Sequence, residues 1–242
     1  MNDGGPVRIA PAEAHAVSPR FAEYTDRLVY GEIWDRPGLS PRDKSMLTCA
    51  VLIALNRSAF LPFHARRALD NGLTARELGE IVTQLAVYCG WPMASAAVYE
   101  LAPVYAERGI RAEDVSPLPV PPLDADPGME ERRKAVLESS IGVVSPPLAK
   151  YSNELLFGDL WLHPELAPRD RSMITLAAIW AMGLEPLLDY QFARALDNGV
   201  TREDISDALI HCAFYIGWPR AMAAAMVARK VLAGRDETAR PA

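Results

Sequence analysis

Residues 41–55, PRDKSMLTCAVLIAL, and residues 168–182, PRDRSMITLAAIWAM, are two versions of one segment. Each version begins with proline and an Arg-Asp pair and continues as an almost unbroken apolar run. Proline is well tolerated in the first turn of a helix, and an acidic side chain is favoured there. A helix that is apolar all round is buried on every side. The segment therefore predicts a buried helix in each half of the chain.

The similarity extends outward from this segment at a constant offset. Residues 30–92 match residues 157–219 without insertion or deletion, and both copies contain Gly-[Glu/Asp]-x-Trp, Arg-Ala-Leu-Asp-Asn-Gly and Gly-Trp-Pro. A fixed offset indicates two copies of one structural unit. Because only two copies exist and each is large, the pattern favours a pair of fused domains over a solenoid.

Further helices follow the buried segment in each copy. In the first copy, Thr74 and Glu77 have the spacing of a capping box, and Gly90 and Pro92 separate that helix from the next one. An earlier helix carries one apolar stripe with helical spacing, which includes a histidine. The stripe contains Leu61, His64, Ala65, Ala68 and Leu69. No run of alternating residues predicts a strand, so we expect an all-α protein.

Composition shifts divide the chain into five parts. Residues 1–20 have little periodicity and are predicted to form an extended N-terminal arm. The first domain is predicted at 21–112 and the second at 129–235, which starts with a charged helix at 129–139 that has no counterpart in the first copy. Between them, residues 113–128 are rich in proline and predict an extended linker. Residues 236–242 are a predicted tail.

Composition excludes several classes of protein. Of 242 residues, 50% are hydrophobic and 23% are charged, with a net charge of -6, which is typical of a globular domain. No dense Lys/Arg cluster suggests nucleic acid as a partner, and no apolar run predicts a membrane span. The N-terminus lacks the pattern of a signal peptide, so a cytoplasmic protein is expected. Three cysteines without a CxxC pair argue against a disulfide framework, a metal site and a dithiol centre.

The motifs YGEIW, SPRDKSMLTCAVLIAL, LPFHARRALDNGLTARELGEI and QLAVYCGWP, with their second-copy partners, resemble the carboxymuconolactone decarboxylase family, which includes the AhpD-like proteins. The resemblance implies two tandem AhpD-like helical bundles in one chain. It also implies a homo-oligomer, for which a trimer that imitates the hexamer of single-domain members is expected. The family reaction on a small-molecule substrate needs no cofactor and no metal, so neither is expected here.

The resemblance also implies site residues. One branch of the family uses a CxxC before its histidine, and this chain lacks it, so peroxidase chemistry is not expected. The decarboxylase branch has an acid and a histidine that match Glu32 and His64 in the first copy. A second histidine of that branch is matched by His211 in the second copy, where the first copy has Gln84. Because the second copy has Gln191 in place of His64, we expect the first copy to be the active one.

Each of these residues also has a purely structural interpretation. His64 could be a core histidine satisfied by a backbone carbonyl, and Glu32 could be a surface acid. His211 and Tyr215 share a helix face and could line a pocket or simply pack, and Tyr88 is a further candidate for substrate binding. Trp91 and Trp218 are expected to pack in the interior. The pairs Arg42-Asp43 and Arg169-Asp170 are predicted to cap helices and to form interface charges.

The predicted function is cofactor-independent decarboxylation of a small carboxylated lactone or a related unsaturated acid. His64 would be the acid/base, Glu32 would orient it, and an apolar pocket would join the two. The same groups would serve an isomerase, dehydratase or cyclase that acts on a related small molecule. A non-catalytic oligomeric binding protein is a third interpretation, since the two histidines are divided between the copies.

Overall fold

The computed structural model describes residues 8–238, with side chains through residue 235. Over this range the chain consists of helices and loops without strands, so the all-α prediction is confirmed. The α-helices of the first half are α1 Ala12–Val17, α2 Pro19–Tyr24, α3 Pro41–Ala54, α4 Leu61–Asp70, α5 Ala75–Cys89, α6 Trp91–Glu107 and α7 Ala112–Val115. Those of the second half are α8 Pro127–Val144, α9 Pro146–Tyr151, α10 Pro168–Met182, α11 Leu188–Asp197, α12 Arg202–Ile216 and α13 Trp218–Thr238.

The two copies pack against each other through their buried helices. The contact between α3 and α10 is the most extensive in the molecule, and α12 also packs on α3 while α5 packs on α10. Residues 43–54 of α3 are all buried, as the all-round apolar pattern predicted. One hydrophobic core runs through both copies, so the chain forms two tandem bundles with a shared interior.

A reciprocal ion-pair cluster lies where α3 and α10 begin. Arg42 lies 2.8 Å from Asp170, and Arg169 lies 3.2 Å from Asp43, so each copy pairs with the other. Ser40 also caps α3 by accepting a hydrogen bond from the Asp43 backbone N–H. The predicted interface role of these charges is observed, whereas the cap of α3 is formed by Ser40 and not by a charged side chain.

A short π-helical segment precedes α3 in one copy and α10 in the other, at Thr25–Ile33 and Ser152–Phe157. Each segment brings the backbone close to a glycine, Gly31 or Gly158. A Cβ atom on Gly158 would lie 2.7 Å from the Asn153 carbonyl oxygen, which real Cβ atoms do not approach so closely. The Gly of the shared Gly-[Glu/Asp]-x-Trp motif is therefore required by the close backbone approach before the tryptophan.

The N-terminal region differs from the prediction. The predicted arm contains α1 and most of the first turn of α2, and its residues 1–7 lie outside the described part of the chain. The helix predicted at 129–139 extends to Val144. Its last turns match α1 at the repeat offset, because Val17-Ser18-Pro19 corresponds to Val144-Ser145-Pro146. The repeat therefore begins earlier than the motifs alone suggested. Residues 116–126 form no helix.

The two tryptophans that precede proline are not interior residues. Trp91 is 64% exposed and Trp218 is 49% exposed, at the first residues of α6 and α13. The expectation that they pack inside was wrong, because each lies at a helix start that the single chain leaves uncovered. Within residues 8–238, no helix is both long and apolar enough to cross a membrane.

Candidate active site

Two aromatic side chains from different copies meet at the first-copy site. Trp34 follows the π-helical segment of the first copy, and Tyr215 lies on α12 of the second. The Trp34 Nε1–H donates a hydrogen bond of 2.9 Å to the Tyr215 hydroxyl. This bond fixes both rings, and it places the site at the junction of the two copies.

His64 borders these two rings from the buried face of α4. Its ring centroid lies 5.6 Å from that of Tyr215 and 6.2 Å from that of Trp34. Phe63 lies edge-on to the imidazole at 5.0 Å. The His64 Nδ1 atom is buried and has no hydrogen-bond partner. A buried polar atom without a partner is uncommon and suggests that another molecule supplies one.

His211 approaches the same two rings from α12. Its Nε2 lies 2.8 Å from Thr48 Oγ1, and its ring centroid lies 5.0 Å from that of Trp34. Thr48 already donates its only hydroxyl proton to the Lys44 carbonyl oxygen at 2.8 Å. We therefore assign the proton to His211 Nε2, which leaves the lone pair on Nδ1. That Nδ1 is also buried without a partner.

Two cations lie beside the site. The Arg67 guanidinium lies 4.2 Å from the ring centroid of Trp34 and 5.2 Å from that of Tyr30. Among the described residues it forms no ion pair with a carboxylate, and its Nε is buried without a partner. Lys44 is buried and donates to the Trp34 carbonyl oxygen at 2.8 Å and to that of Arg36. An unpaired guanidinium on an aromatic wall is suited to an anionic ligand.

Burial keeps both histidines neutral at pH 7. It lowers the pKa of His64 from 6.5 to about 4, with the nearby Arg67 charge acting in the same direction. Burial also lowers the pKa of His211 to about 3, with Lys44 as the next cause. The pKa of the Tyr215 hydroxyl is raised, again mainly by burial. At pH 7, therefore, neither imidazole carries a charge.

These shifts predict how stability depends on pH. Below pH 6.5 the unfolded chain protonates both histidines, whereas folded His64 resists protonation down to about pH 4 and folded His211 down to about pH 3. The histidine contribution to stability is full above pH 6.5 and is lost as the pH falls toward these values. For His64 the loss is about 3 kcal/mol. Denaturant unfolding of the parent and of a His64→Gln/His211→Gln variant, compared from pH 7 to 4, should show the steeper loss in the parent. Parallel pH curves would contradict the buried, neutral assignment.

Glu32 does not lie where its predicted role requires. The residue is exposed, and its side chain has no hydrogen bond or ion pair within residues 8–235. The π-helical segment turns this position toward solvent while Trp34 is buried, as the alternative interpretation of Glu32 as a surface acid describes. The structure thus provides no contact through which Glu32 would orient His64.

Gln84 and Tyr88 lie in the equivalent second-copy site, apart from His64. There the Trp161 Nε1–H donates to the Tyr88 hydroxyl at 2.9 Å, as Trp34 does to Tyr215. Gln84 donates to Thr175 Oγ1 at 3.1 Å and takes the place that His211 has in the first site. The site that contains His64 therefore also depends on second-copy residues, which the sequence alone did not indicate. Each site is formed by residues of both copies. The first-copy site contains His64 and His211, and the second-copy site contains Gln84 and Gln191.

Several residues of the site were not predicted from sequence, although a signal for them exists. Trp34, Thr48 and Arg67 are identical to their partners in the second copy, Trp161, Thr175 and Arg194. Identity between diverged copies at polar and aromatic positions could have indicated them. Lys44 has no such signal, because its partner is Arg171.

One group of side chains has the composition of a metal site. Ligand atoms of Glu80, His163 and Glu165 lie within 4.8 Å of one another. However, Arg171 Nη2 lies 2.7 Å from Glu80 Oε1 and already supplies a positive charge there. The group is explained as the ion-pair environment of a buried arginine.

Comparison with known proteins agrees with this architecture. Residues 19–102 and residues 146–230 each match the model of the carboxymuconolactone decarboxylase family. The two matches together cover more than half of the chain, one in each copy.

Two relatives carry decarboxylase names. The chain is 38% identical over 96 residues to the 4-carboxymuconolactone decarboxylase of Acinetobacter baylyi. The matched stretch covers 40% of this chain and 72% of that protein. The chain is also 41% identical over 63 residues to the nitrosuccinic acid decarboxylase of Metarhizium robertsii. This stretch covers 26% of this chain and 44% of that protein.

Proposed function

The chain belongs to the carboxymuconolactone decarboxylase family, and from this premise we propose that it is a cofactor-independent decarboxylase for a small carboxylated lactone or a related unsaturated acid. The observation that carries the proposal is the meeting of His64 and His211 around Trp34 and Tyr215. In the sequence, the division of these histidines between the copies favoured a non-catalytic binding protein. Because the two histidines lie in one site, this division no longer favours that interpretation.

The names of the relatives support the reaction class. Both names describe a decarboxylase, although their acids differ. The chain matches 72% of one relative and only 44% of the other, so the substrate is our proposal and not a transfer of either name. For the reaction we take the lactone that the family name describes.

The reaction balances without an external electron acceptor. The bond between the γ-carbon and its carboxylate breaks, CO2 leaves, and the electron pair moves through the conjugated ring onto the carbonyl oxygen as a dienolate. A carbon atom then takes up one proton. The protein must therefore stabilise the developing oxyanion and supply that proton.

Arg67 is suited to the oxyanion or to a carboxylate that the product retains. If it bound the departing carboxylate, it would stabilise the substrate more than the transition state and slow the reaction. We therefore place the leaving carboxylate out of reach of the Arg67 guanidinium, among the apolar side chains of the site. Loss of its hydration there favours its departure as neutral CO2.

His64 is our candidate for the proton donor. Its neutral ring is a poor acid toward carbon, but a bound anionic substrate raises the imidazole pKa and favours the protonated ring. The proton taken up on binding is then delivered to the dienolate. His211 is held by Thr48, and its unpartnered Nδ1 would act as a hydrogen-bond acceptor.

The direct test is to incubate the protein with γ-carboxymuconolactone and to follow CO2 release together with product formation. Stoichiometric CO2 supports the proposal. Consumption of the substrate without CO2 would replace decarboxylation by isomerisation, dehydration or cyclisation at the same site. If no substrate is consumed, this lactone is rejected, and a CO2-release screen of other small unsaturated acids decides whether the reaction class survives.

We also propose that the chain is a homo-oligomer, with a trimer as the expected form. The support is a set of exposed apolar residues on α6 and α13, four of which form two equivalent pairs. The pairs are Trp91 with Trp218 and Tyr99 with Met226; Met222 is the fifth residue, and the exposed fractions run from 49% to 79%. Such a patch on a soluble surface is typical of a contact between protein chains.

Light scattering after size exclusion should give about three times the 26.5 kDa mass of the chain. The equivalent substitutions Tyr99→Glu and Met226→Glu should together lower the mass to that of one chain, because charges buried in an interface are costly. A monomeric parent would reject the oligomer, and an unchanged mass in the variant would move the interface elsewhere.

A further inference from the structure

The second inter-copy site opens into a cleft of about 530 Å³. α8 forms one wall and α11 the other, and residues from both line it. In the part of the first copy that the structure describes, the short helix α1 corresponds to the last turns of α8. A volume of several hundred Å³ is typical of small-molecule sites.

A buried arginine lies in this cleft, and no described side chain supplies a carboxylate partner for it. Arg194 is 9% exposed, and its Nε is buried without a hydrogen-bond partner. Its guanidinium lies 3.9 Å from the ring centroid of Trp161, and its Nη1 donates to the Tyr190 hydroxyl at 3.0 Å. Neither contact neutralises the charge. Burying an unpaired cation is costly, which indicates that an anion completes the site.

The remaining charges in the cleft also favour an anion. Arg133 lies 4.0 Å from the ring centroid of Phe157 and pairs with Glu130, and Arg132 is exposed without an ion pair among the described side chains. The one acid that lines the cleft, Asp197, already accepts a hydrogen bond of 2.6 Å from Arg235. The other wall residues include Val136, Leu137 and Leu187, which suit an apolar body.

Among the described residues, the same site contains neither of the two histidines of the first site. Gln84 and Gln191 replace the two histidines, and Gln84 is fully engaged between Thr175 and Arg171. Burial raises the pKa of the Tyr88 hydroxyl to about 12. Without an acid or base that titrates near pH 7, the site can hold a ligand but cannot deliver a proton to carbon.

We propose that this second site binds a small carboxylate with an apolar or aromatic body, without converting it, through Arg194 and the cleft under α8. Arg194 and Trp161 correspond to the arginine and tryptophan that would bind an anion in the first site. Gln84 and Gln191 replace the two histidines, so the second site has no equivalent groups for proton transfer. The proposal does not require the first site to be a decarboxylase.

The test uses 4-fluorobenzoate as the probe, observed by ¹⁹F NMR on the full-length chain. An Arg67→Gln background weakens the first site, so that remaining binding reports on the second. We expect this background to keep saturable binding and an added Arg194→Gln substitution to weaken it at least about tenfold, as loss of a charged hydrogen bond does. The uncharged isostere 4-fluorobenzamide should bind as weakly as the doubly substituted chain binds 4-fluorobenzoate.

Two controls keep the test decisive. Leu187→Trp fills the cleft without removing a charge and should also weaken binding, which guards against misfolding of the Arg194 variant. Equal binding with and without Arg194, or equal binding of the amide, would overturn the proposal. A further outcome concerns catalysis in a chain that carries Arg67→Gln and His64→Gln. If this chain still releases CO2 from γ-carboxymuconolactone and an added Arg194→Gln substitution abolishes the release, the second site is catalytic and the proposal is overturned. Absence of CO2 from the parent would reject only the first-site function.

Discussion

The His64→Gln variant is expected to lose at least about a hundredfold in the turnover number for CO2 release. His211→Gln should lose less, because glutamine can still accept a hydrogen bond. General acid–base catalysis is worth about 10² to 10⁴ in rate. Because both residues border Trp34 and Tyr215, they act on one bound molecule. The double variant should therefore lose less than the product of the two single losses.

Glutamine is the appropriate replacement because the fold already accepts it at both positions. Gln191 is 8% exposed at the place of His64 on the equivalent helix, and Gln84 is fully buried at the place of His211. The double variant thus converts the first site toward the second while it preserves volume and hydrogen-bonding capacity. Loss of activity in a variant with an unchanged circular dichroism spectrum then reports on chemistry and not on folding.

The matched control is His15→Gln, which removes an exposed histidine of α1. Its turnover should equal that of the parent. A pH profile adds a signature that a structural role would not give. The parent turnover number should fall as the pH rises through the pKa that His64 acquires in the complex, and the His64→Gln variant should lack that decrease. Full activity in both single variants would remove the histidines from the mechanism.

The second large effect is expected on stability. Arg171→Ala should lower the free energy of unfolding by about 3 to 5 kcal/mol, as removal of one partner from a buried ion pair does. Arg171 is fully buried, and it donates to Glu80 Oε1 at 2.7 Å, to Gln84 Oε1 at 3.0 Å and to the His163 carbonyl oxygen at 2.8 Å. The substitution leaves those acceptors buried without their donor and opens a cavity at the junction of the copies.

Denaturant unfolding measures this effect, and the repeat supplies the control. The first copy has Lys44 at the equivalent position, so Arg171→Lys should lose much less than Arg171→Ala. In contrast, Lys230→Ala removes an exposed pair with Asp189 and should change stability by less than about 1 kcal/mol. If Arg171→Ala and Lys230→Ala cost the same, the buried pair does not hold the copies together.

Local sequence patterns determined much of the fold. The apolar run after Pro41 predicted a helix buried on every side, and Thr74 with Glu77 predicted a capping box that the structure contains. The stripe through His64 predicted its burial. These features follow from helix geometry and from hydrogen bonds between residues three or four apart, so a short window of sequence specifies them.

Only the tertiary structure decided how the site is composed. From the sequence, His64 and Gln84 belonged together because one copy contains both, and Glu32 belonged with them by resemblance. The packing of α3 on α10 instead brings α12 to the first-copy histidine and α5 to the second-copy glutamine, while Glu32 faces solvent. Pairing between the two copies depends on how two buried surfaces fit, and no local period encodes that fit.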